Sequence, residues 1–489
     1  MKLFEEYFKY ISKFVIESHI VDNSEITTIT CDSRKVSPGA IFCAIPGAQT
    51  DGHNFIDTAI NNGAKTIICS RNISKYPDCI NKIKVTDTYH SYALLCEFFF
   101  DIPCTHLDLH GITGTNGKTT CAYLLHKVLT ESQIRTGLLS TVEYRCGNEI
   151  LNAQRTTPEA FQLQKLFNDI KTAGCSAAVM EVSSHGLDQH RTGSSSFKTA
   201  IFTNLSGDHL DYHQNMENYF NAKARLFKEC LANNGTAIIN IDDSFGKRLY
   251  QEIEPSNKVS FGQSSNADCQ IIKLRSDHNG STCKLKLYKQ IHEFKTPLIG
   301  EYNAYNCVGV FCAAVFTGIN PERILSILAE KTSIPGRLES FRDQREVSYF
   351  VDYAHTDDAL ENVLKNLRHI APARLITVFG CGGDRDSSKR PRMAHAAEKY
   401  SDIVIVTSDN PRTENPLLII DDIMTGFKEK SGVLTNPDRE AAIKLAAKLA
   451  KPDDFIVVAG KGHETYQEIN GKRYDFDDRE IIMNLCSSN

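Results

Sequence analysis

Short apolar runs alternate with polar, glycine-marked stretches along most of the chain, and the period of the apolar positions changes from one segment to the next. Near the N-terminus, helical spacing gives way to strand-like runs at 26–31 and 39–44. A helix-like stretch at 55–62 then leads through Gly63 to a strand over residues 66–69. Further on, residues 177–182 are apolar except for Glu181, and 199–205 form a second apolar run. Continuous runs of this kind suit strands buried on both faces of a parallel sheet. Helical patterns lie between and after them. One covers 217–231, with Gly235 predicted to end it after Asn233 and Asn234. Another opens past Gly300 and turns Val308, Phe311, Cys312 and Val315 toward a core. The last third carries four short apolar runs, 349–351, 375–379, 403–406 and 455–458, each ending in a polar loop. Strands alternating with helices predict an α/β protein, and 489 residues allow about three domains. The predicted divisions are 1–88, a small α/β unit; 89–333, a central parallel-sheet domain; and 334–489, a third α/β domain.

Composition narrows the function classes. A net charge of −5 with 24% charged residues gives no basic surface for nucleic acid or an anionic membrane. The opening MKLFEEYFKY lacks the basic head and apolar run of a signal peptide. No run approaches the ~18 apolar residues of a membrane span. The 16 cysteines include no C-x-x-C pair, which argues against a zinc site or disulfide framework and suits a reducing cytosol.

Candidate chemistry concentrates first at residues 107–125. A strand-like lead-in is followed by Gly111, Gly114 and Gly117, and Lys118-Thr119-Thr120 open a helical run. Glycines let the backbone approach a polyphosphate, the helix N-terminus offers free N–H groups, the lysine neutralises charge and a threonine hydroxyl can hold Mg²⁺. An ATP site is expected here. Glu181, near the end of an apolar run, needs a partner, which Mg²⁺ or an ion pair would supply. Lys223 shares an apolar stripe with Tyr219, Leu226 and Cys230. Such a lysine either snorkels outward or is buried with a lowered pKa, able to react with CO₂. Asn303 and Asn306 lie three apart on one helix face, and capping explains only one of them readily. In the third segment the strand ends converge on one crevice if the sheet is open, parallel and Rossmann-like. Arg385 and Arg412 could then take carboxylates and Glu464 an ammonium, which fits an amino-acid substrate. Taken alone, Asp32-Ser33-Arg34 and the loop 47–52 read as turn chemistry.

The ordered set G-I-T-G-T-N-G-K-T-T, M-E-V-S-S-H-G-L, G-D-H-L-D-Y-H, G-x-x-N-x-x-N, P-G-R, D-Y-A-H-T, D-N-P-R and G-K-G-H-E resembles the Mur ligases, from Asp32 to Glu464. The resemblance implies ATP-dependent addition of meso-diaminopimelate to UDP-N-acetylmuramoyl-L-alanyl-D-glutamate in peptidoglycan precursor synthesis, by a cytoplasmic enzyme. A monomer with small-molecule partners is expected. It implies that the first domain binds the UDP end of the nucleotide substrate, with Ser33, Ala48, Gln49 and Thr50 at matching positions. Thr156, Thr157, Ser183, Gln189 and Arg191 match positions that contact the muramoyl peptide. ATP would lie on Gly114, Thr115, Asn116, Gly117, Lys118, Thr119 and Thr120, near Asn303, Arg337 and Asp352. Mg²⁺ would be held by Thr119, Glu181, His209 and a carboxylated Lys223, a carbamate derived from CO₂; Lys118, His209 and Lys223 are the expected catalytic residues. Arg385, Asp409, Asn410, Pro411, Arg412, Gly460 and Glu464 would hold diaminopimelate, whose second carboxylate gives Arg412 a partner that lysine lacks. Two positions depart from the family's pattern: Asp357, where proline is common, and Ser387, which is assigned no contact. Addition of L-lysine is the alternative within the family. A P-loop nucleotide switch is the alternative outside it, although the chain has no N-K-x-D element.

Overall fold

The computed structural model describes residues 2–47, 50–254 and 257–488. Three sheets follow one another along the chain. The first has five strands in the order Val15–His19, Asn81–Val85, Thr66–Cys69, Ile41–Cys43 and Ile29–Thr30. Only its first pair is antiparallel. The runs expected at 26–31 and 39–44 thus shorten to two and three residues. The predicted cut at 88 falls on the first residue of helix Thr88–Phe99, which packs against both the first segment and helix Ala160–Thr172.

The second sheet has eleven strands. Six parallel strands form its middle: Asn257–Gly262, Leu231–Asn240, Phe197–Phe202, Asp108–Thr113, Ala177–Glu181 and Thr136–Leu139. Alternate residues feed two cores. Ile112, Val179, Ile201 and Ile238 pack under helices Lys118–Glu131 and Glu301–Phe316. Leu109, Met180, Ala200 and Ile239 pack on the other face with Phe167 and Tyr219. Each buried aliphatic side chain contributes about 1.5–3 kcal/mol, and covering both faces explains the unbroken apolar runs. Glu143–Cys146 and Glu149–Asn152 extend one edge antiparallel, while on the other Cys269–Asp277 pairs parallel with Asn257–Gly262 over two residues and Gly280–Leu287 and Gln290–Thr296 continue antiparallel.

The expected helix at 217–231 is Met216–Lys228, begun by the Asn215 side chain accepting from the Asn218 N–H. Gly235 does not terminate it but lies within strand Leu231–Asn240. There the pairing with Phe197–Phe202 slips between Phe197 and Thr199, and a Cβ at Gly235 would sit 2.6 Å from the Phe197 carbonyl. A bulge with close backbone contact, not a helix cap, is what requires glycine.

The third sheet orders Glu339–Arg342, Ser348–Asp352, Phe455–Ala459, Leu375–Phe379, Ile403–Thr407 and Val433–Asn436. All pairs but the first are parallel, so the C-terminal ends of the strands line up. A two-stranded hairpin, Tyr466–Ile469 and Lys472–Asp475, follows. Among the described residues no helix is long and apolar enough to cross a membrane.

Candidate functional site

Strand Asp108–Thr113, at the middle of the large sheet, hands the chain to helix Lys118–Glu131 through a tight loop. Gly114 and Gly117 have φ of +150° and +87°, and a Cβ would meet Thr203 Oγ1 at 1.9 Å and Asn306 Oδ1 at 2.4 Å respectively. Glycine is the residue those positions admit. The neighbouring strand end braces the loop. Thr203 Oγ1 donates to the Asn116 carbonyl at 2.6 Å, while Asn204 accepts the Thr115 and Asn116 N–H groups at 2.9 and 3.0 Å. Those two amides are committed to the protein. The N–H groups of Gly117, the helix N-cap, and of Lys118, Thr119 and Thr120 in its first turn are left for an anion. Lys118 Nζ folds back onto the carbonyls of Gly114 and Thr115 at 2.9 and 2.8 Å.

Lys223 is buried, 1% exposed, so it does not snorkel. Its Nζ donates to the same Gly114 carbonyl at 2.9 Å and lies 4.7 Å from the Tyr219 ring centre. Burial, and then the charge of Lys118, hold its pKa well below the ordinary lysine value. Glu181 is fully buried and accepts from Thr119 Oγ1 at 3.0 Å, the Thr141 N–H at 2.7 Å and Thr141 Oγ1 at 3.1 Å. Hydroxyls and an amide hold this carboxylate, not the structural ion pair considered as an alternative. Arg337 reaches in from the third segment and donates Nη2 to Thr119 Oγ1 at 3.1 Å. His209 has left-handed backbone (φ +54°), its N–H bonded to Asp208 Oδ1, and its ring edge-on to His185 and to Tyr219. Thr119 and Glu181 are thus in direct contact, and Lys223 joins them through the loop. His209 shares the Tyr219 ring with Lys223.

Behind Glu181 the substrate-position residues form one bonded chain. Thr156 Oγ1 lies within hydrogen-bond distance of Thr141 Oγ1 at 3.0 Å, and Thr157 Oγ1 donates to the Glu181 carbonyl and accepts the Ser183 N–H. Arg191 donates to the Thr157 carbonyl at 2.7 Å and, through Nε and Nη2, to Gln189 Oε1. Ser33 is buried and its carbonyl accepts from Asn62, whereas Thr50 is exposed. Ala48 and Gln49 lie outside the described residues. Asn303 bonds the Ile299 carbonyl and receives Asn306 Nδ2 at 3.2 Å. Neither asparagine caps the helix, whose N-cap is Gly300; Asn306 instead abuts Gly117. Asp352 accepts from the Leu338 and Ala354 N–H groups, with its pKa raised by burial against the pull of Arg337.

The third sheet's strand ends collect a second group. Asn410 Nδ2 donates to Glu464 Oε2 at 2.8 Å, and a Cβ at Gly460 would lie 2.5 Å from Asp409 Oδ2. The Pro411 carbonyl packs against Gly383. Arg412, left-handed at φ +51°, donates Nη1 to the Gly383 carbonyl at 2.6 Å, and its Nε lies 3.6 Å from Glu468 Oε2. Arg385 is exposed and bonds the carbonyl of its own neighbour Asp384, so its side chain stands apart from that bonded group. Glu464, proposed from sequence to take an ammonium, already receives Lys461 Nζ at 3.2 Å. Sequence reasoning missed Lys461, Glu468, Thr141 and Asn204. The first lies inside G-K-G-H-E and could have been asked about. The other three become relevant only once distant strands are aligned.

A phosphate loop on one parallel sheet, bonded to a second parallel sheet with charged strand-end loops, defines a multidomain α/β enzyme of the P-loop class. Family models agree in order along the chain: "Mur ligase family, catalytic domain" over residues 25–91, "Mur ligase middle domain" over 112–314 and "Mur ligase, glutamate ligase domain" over 336–462. The chain is 43% identical to the UDP-N-acetylmuramoyl-L-alanyl-D-glutamate–2,6-diaminopimelate ligase of Aquifex aeolicus, across 94% of this chain and 93% of that one. It is 42% identical to the ligase of the same name from Clostridium botulinum, across 97% and 98%. A solved structure of a ligase with this name superposes with a TM-score of 0.67 at 34% identity, covering 96% and 97% of the two chains. The chain belongs to the Mur ligase family.

Proposed function

We propose that this chain is an ATP-dependent ligase that joins meso-diaminopimelate to the D-glutamate of UDP-N-acetylmuramoyl-L-alanyl-D-glutamate. The observation that carries this reading is the Arg337–Thr119 bond. It ties a phosphate loop to the sheet whose strand-end loops hold Asn410, Arg412 and Glu464, so nucleotide and amino acid meet on one chain. The relatives with that printed name support the substrate pair.

ATP phosphates lie against the N–H groups of Lys118, Thr119 and Thr120, with the Lys118 ammonium over the loop. The D-glutamate γ-carboxylate attacks the γ-phosphorus and ADP leaves, giving an acyl phosphate. The amine of diaminopimelate attacks the acyl carbon and loses its proton. The tetrahedral species then collapses with departure of phosphate, which carries one carboxylate oxygen. Thr156, Thr157, Ser183, Gln189 and Arg191 hold the muramoyl peptide, with Ser33, Ala48, Gln49 and Thr50 on its UDP end. Asn303, Arg337 and Asp352 border the nucleotide. Arg385, Asp409, Asn410, Pro411, Arg412, Gly460 and Glu464 receive diaminopimelate. Enclosing the reactants between domains limits hydrolysis of the acyl phosphate.

A divalent cation fits the buried Glu181 carboxylate, which among the described residues has hydroxyl and amide partners but no bonded cation. Thr119, Glu181, His209 and the carbamate of Lys223 would hold Mg²⁺, which when bound offsets phosphate charge. Lys223 is suited to carboxylation because its burial favours the neutral amine; reaction with CO₂ yields a carbamate and a proton. The enzyme acts in the cytoplasm as a monomer. The 16 cysteines are free thiols, which suits that compartment.

The test is to label the D-glutamate γ-carboxylate with ¹⁸O and analyse the released phosphate by mass spectrometry. One labelled oxygen per phosphate is expected. Unlabelled phosphate with labelled amide would exclude the acyl-phosphate route.

A further inference from the structure

Lys461 is a fully buried cation, 0% exposed, and no step above uses it. An ammonium taken out of water costs several kcal/mol unless its hydrogens are met, so its partners indicate what it is kept for. Nζ donates to Asn410 Oδ1 and to Glu464 Oε2, each at 3.2 Å, and lies 5.5 Å from the Tyr466 ring centre. Both acceptors belong to the loops read above as the amino-acid pocket.

The hydrogen-bond inventory shows what this does. Asn410 Oδ1 accepts twice, from Lys461 Nζ and from the Glu468 N–H at 2.9 Å. Two donors on one atom fix that atom as the oxygen, so Nδ2 must be the side turned to Glu464, which it reaches at 2.8 Å. Glu464 takes both of its bonds on Oε2. Oε1 and the second Nδ2 hydrogen carry none of these bonds, leaving one acceptor and one donor for a ligand bearing an ammonium and a carboxylate. The hairpin reinforces the arrangement. Gln467 Nε2 donates to the Asp409 carbonyl at 2.6 Å, the Arg412 N–H to the Glu468 carbonyl at 3.0 Å, and the Asn470 N–H to the Arg412 carbonyl at 2.7 Å.

The geometry points to Lys461 as a positioning residue for the amino-acid substrate, orienting Asn410 and Glu464 for an ammonium-and-carboxylate end group without touching it. This rests on the reading of these loops as the diaminopimelate pocket, so wild-type turnover with diaminopimelate is measured first; its absence would overturn both, whereas the variant outcomes below strike the positioning role alone. Lys461→Met, near in length and uncharged, is then compared with Lys461→Gln, which keeps a donor. The Michaelis constants for diaminopimelate, ATP and the UDP substrate are measured for each. Both variants should raise the diaminopimelate KM by about ten-fold or more, equivalent to about 1.4 kcal/mol. The other two constants should stay within about two-fold, inside the small effect of removing a contact neither ligand shares.

A pH profile separates positioning from general damage. Glu464 faces Lys461 on its own loop, Asp409 beyond strand Ile403–Thr407, Arg439 on helix Arg439–Leu449, Tyr353 beyond Ser348–Asp352, and Tyr466 on the hairpin. Without Lys461, burial and Asp409 act on the carboxyl with less opposition, so it takes up its proton at higher pH. The diaminopimelate KM of Lys461→Met should therefore start to climb at a higher pH than in the wild type as pH is lowered. In the Glu464→Gln background, Lys461→Met should add little, since the group it acts on is gone. A diaminopimelate KM unchanged in both variants, three constants rising together, or full additivity with Glu464→Gln would each overturn the proposal.

Discussion

Lys118 and Lys223 both place Nζ 2.9 Å from the Gly114 carbonyl oxygen. Their nitrogens are therefore no more than about 6 Å apart, and two full charges at that range repel by about 3 kcal/mol at an effective dielectric of ~20. That repulsion, with burial, is what disfavours the protonated form of Lys223, so folding must give up the proton the unfolded lysine holds; replacing Lys223 by Met removes that cost while nearly preserving volume. The Gly114 carbonyl keeps Lys118 as a donor. We expect Lys223→Met to gain about 1–3 kcal/mol, read as a Tm rise of several degrees by calorimetry. Turnover should fall by more than the ~10–100-fold lost with a supporting metal contact. The pH dependence has a definite sign. The folded pKa of Lys223 is depressed, so on lowering pH from the ordinary lysine range near ~10 the unfolded chain binds a proton that the folded chain refuses. Wild-type stability should rise with pH toward that range, and the variant should lack the increment. Bicarbonate should raise the wild-type Tm by binding only the folded amine and leave the variant unmoved. A destabilised variant with normal turnover, or an equal bicarbonate effect on both proteins, would refute the reasoning.

Further outcomes follow from other contacts. Gly117→Ala puts a Cβ 2.4 Å from Asn306 Oδ1 at φ +87°. Left-handed strain and a displaced Asn306 should cost about 2–3 kcal/mol, measured as a lower Tm or a raised ATP KM; the absence of both would contradict the loop geometry. Arg412→Ala should raise the diaminopimelate KM far more than the ATP KM, and equal changes would count against its assignment. Glu181→Gln should weaken Mg²⁺ activation, measured as the Mg²⁺ concentration for half-maximal rate; an unshifted curve would remove it from the metal set. Asp478→Ala strands the buried guanidinium of Arg439, both side chains being 0% exposed, and should cost about 3–5 kcal/mol of stability by denaturant unfolding. An unchanged midpoint would contradict that.

Much of the fold was legible because strands buried on both faces announce themselves as unbroken apolar runs, as at 177–182 and 375–379. The tight loop from strand to helix was legible because Gly114 and Gly117 ahead of Lys-Thr-Thr have a local physical meaning. Gly235 misled because glycine both stops helices and permits bulges, and only the slip opposite Phe197 tells the two apart. The edge strands Cys269–Asp277, Gly280–Leu287 and Gln290–Thr296 were missed because their solvent-facing residues break the apolar run. Lys223 stood in an odd place in the periodicity, yet burial and snorkelling share that periodicity; its contact with Gly114 settles the matter. Arg385 and Arg412 looked equivalent as strand-end arginines, but only Arg412 is drawn inward, by the Gly383 carbonyl and a hairpin far along the chain.

The most direct test of the central claim is phosphate release with ATP, Mg²⁺ and UDP-N-acetylmuramoyl-L-alanyl-D-glutamate, comparing meso-diaminopimelate, L-lysine and no amino acid. Turnover that requires diaminopimelate, with little from lysine, is the predicted result. Preference for lysine would contradict the Arg412 assignment, and turnover without any amino acid would contradict amide ligation itself.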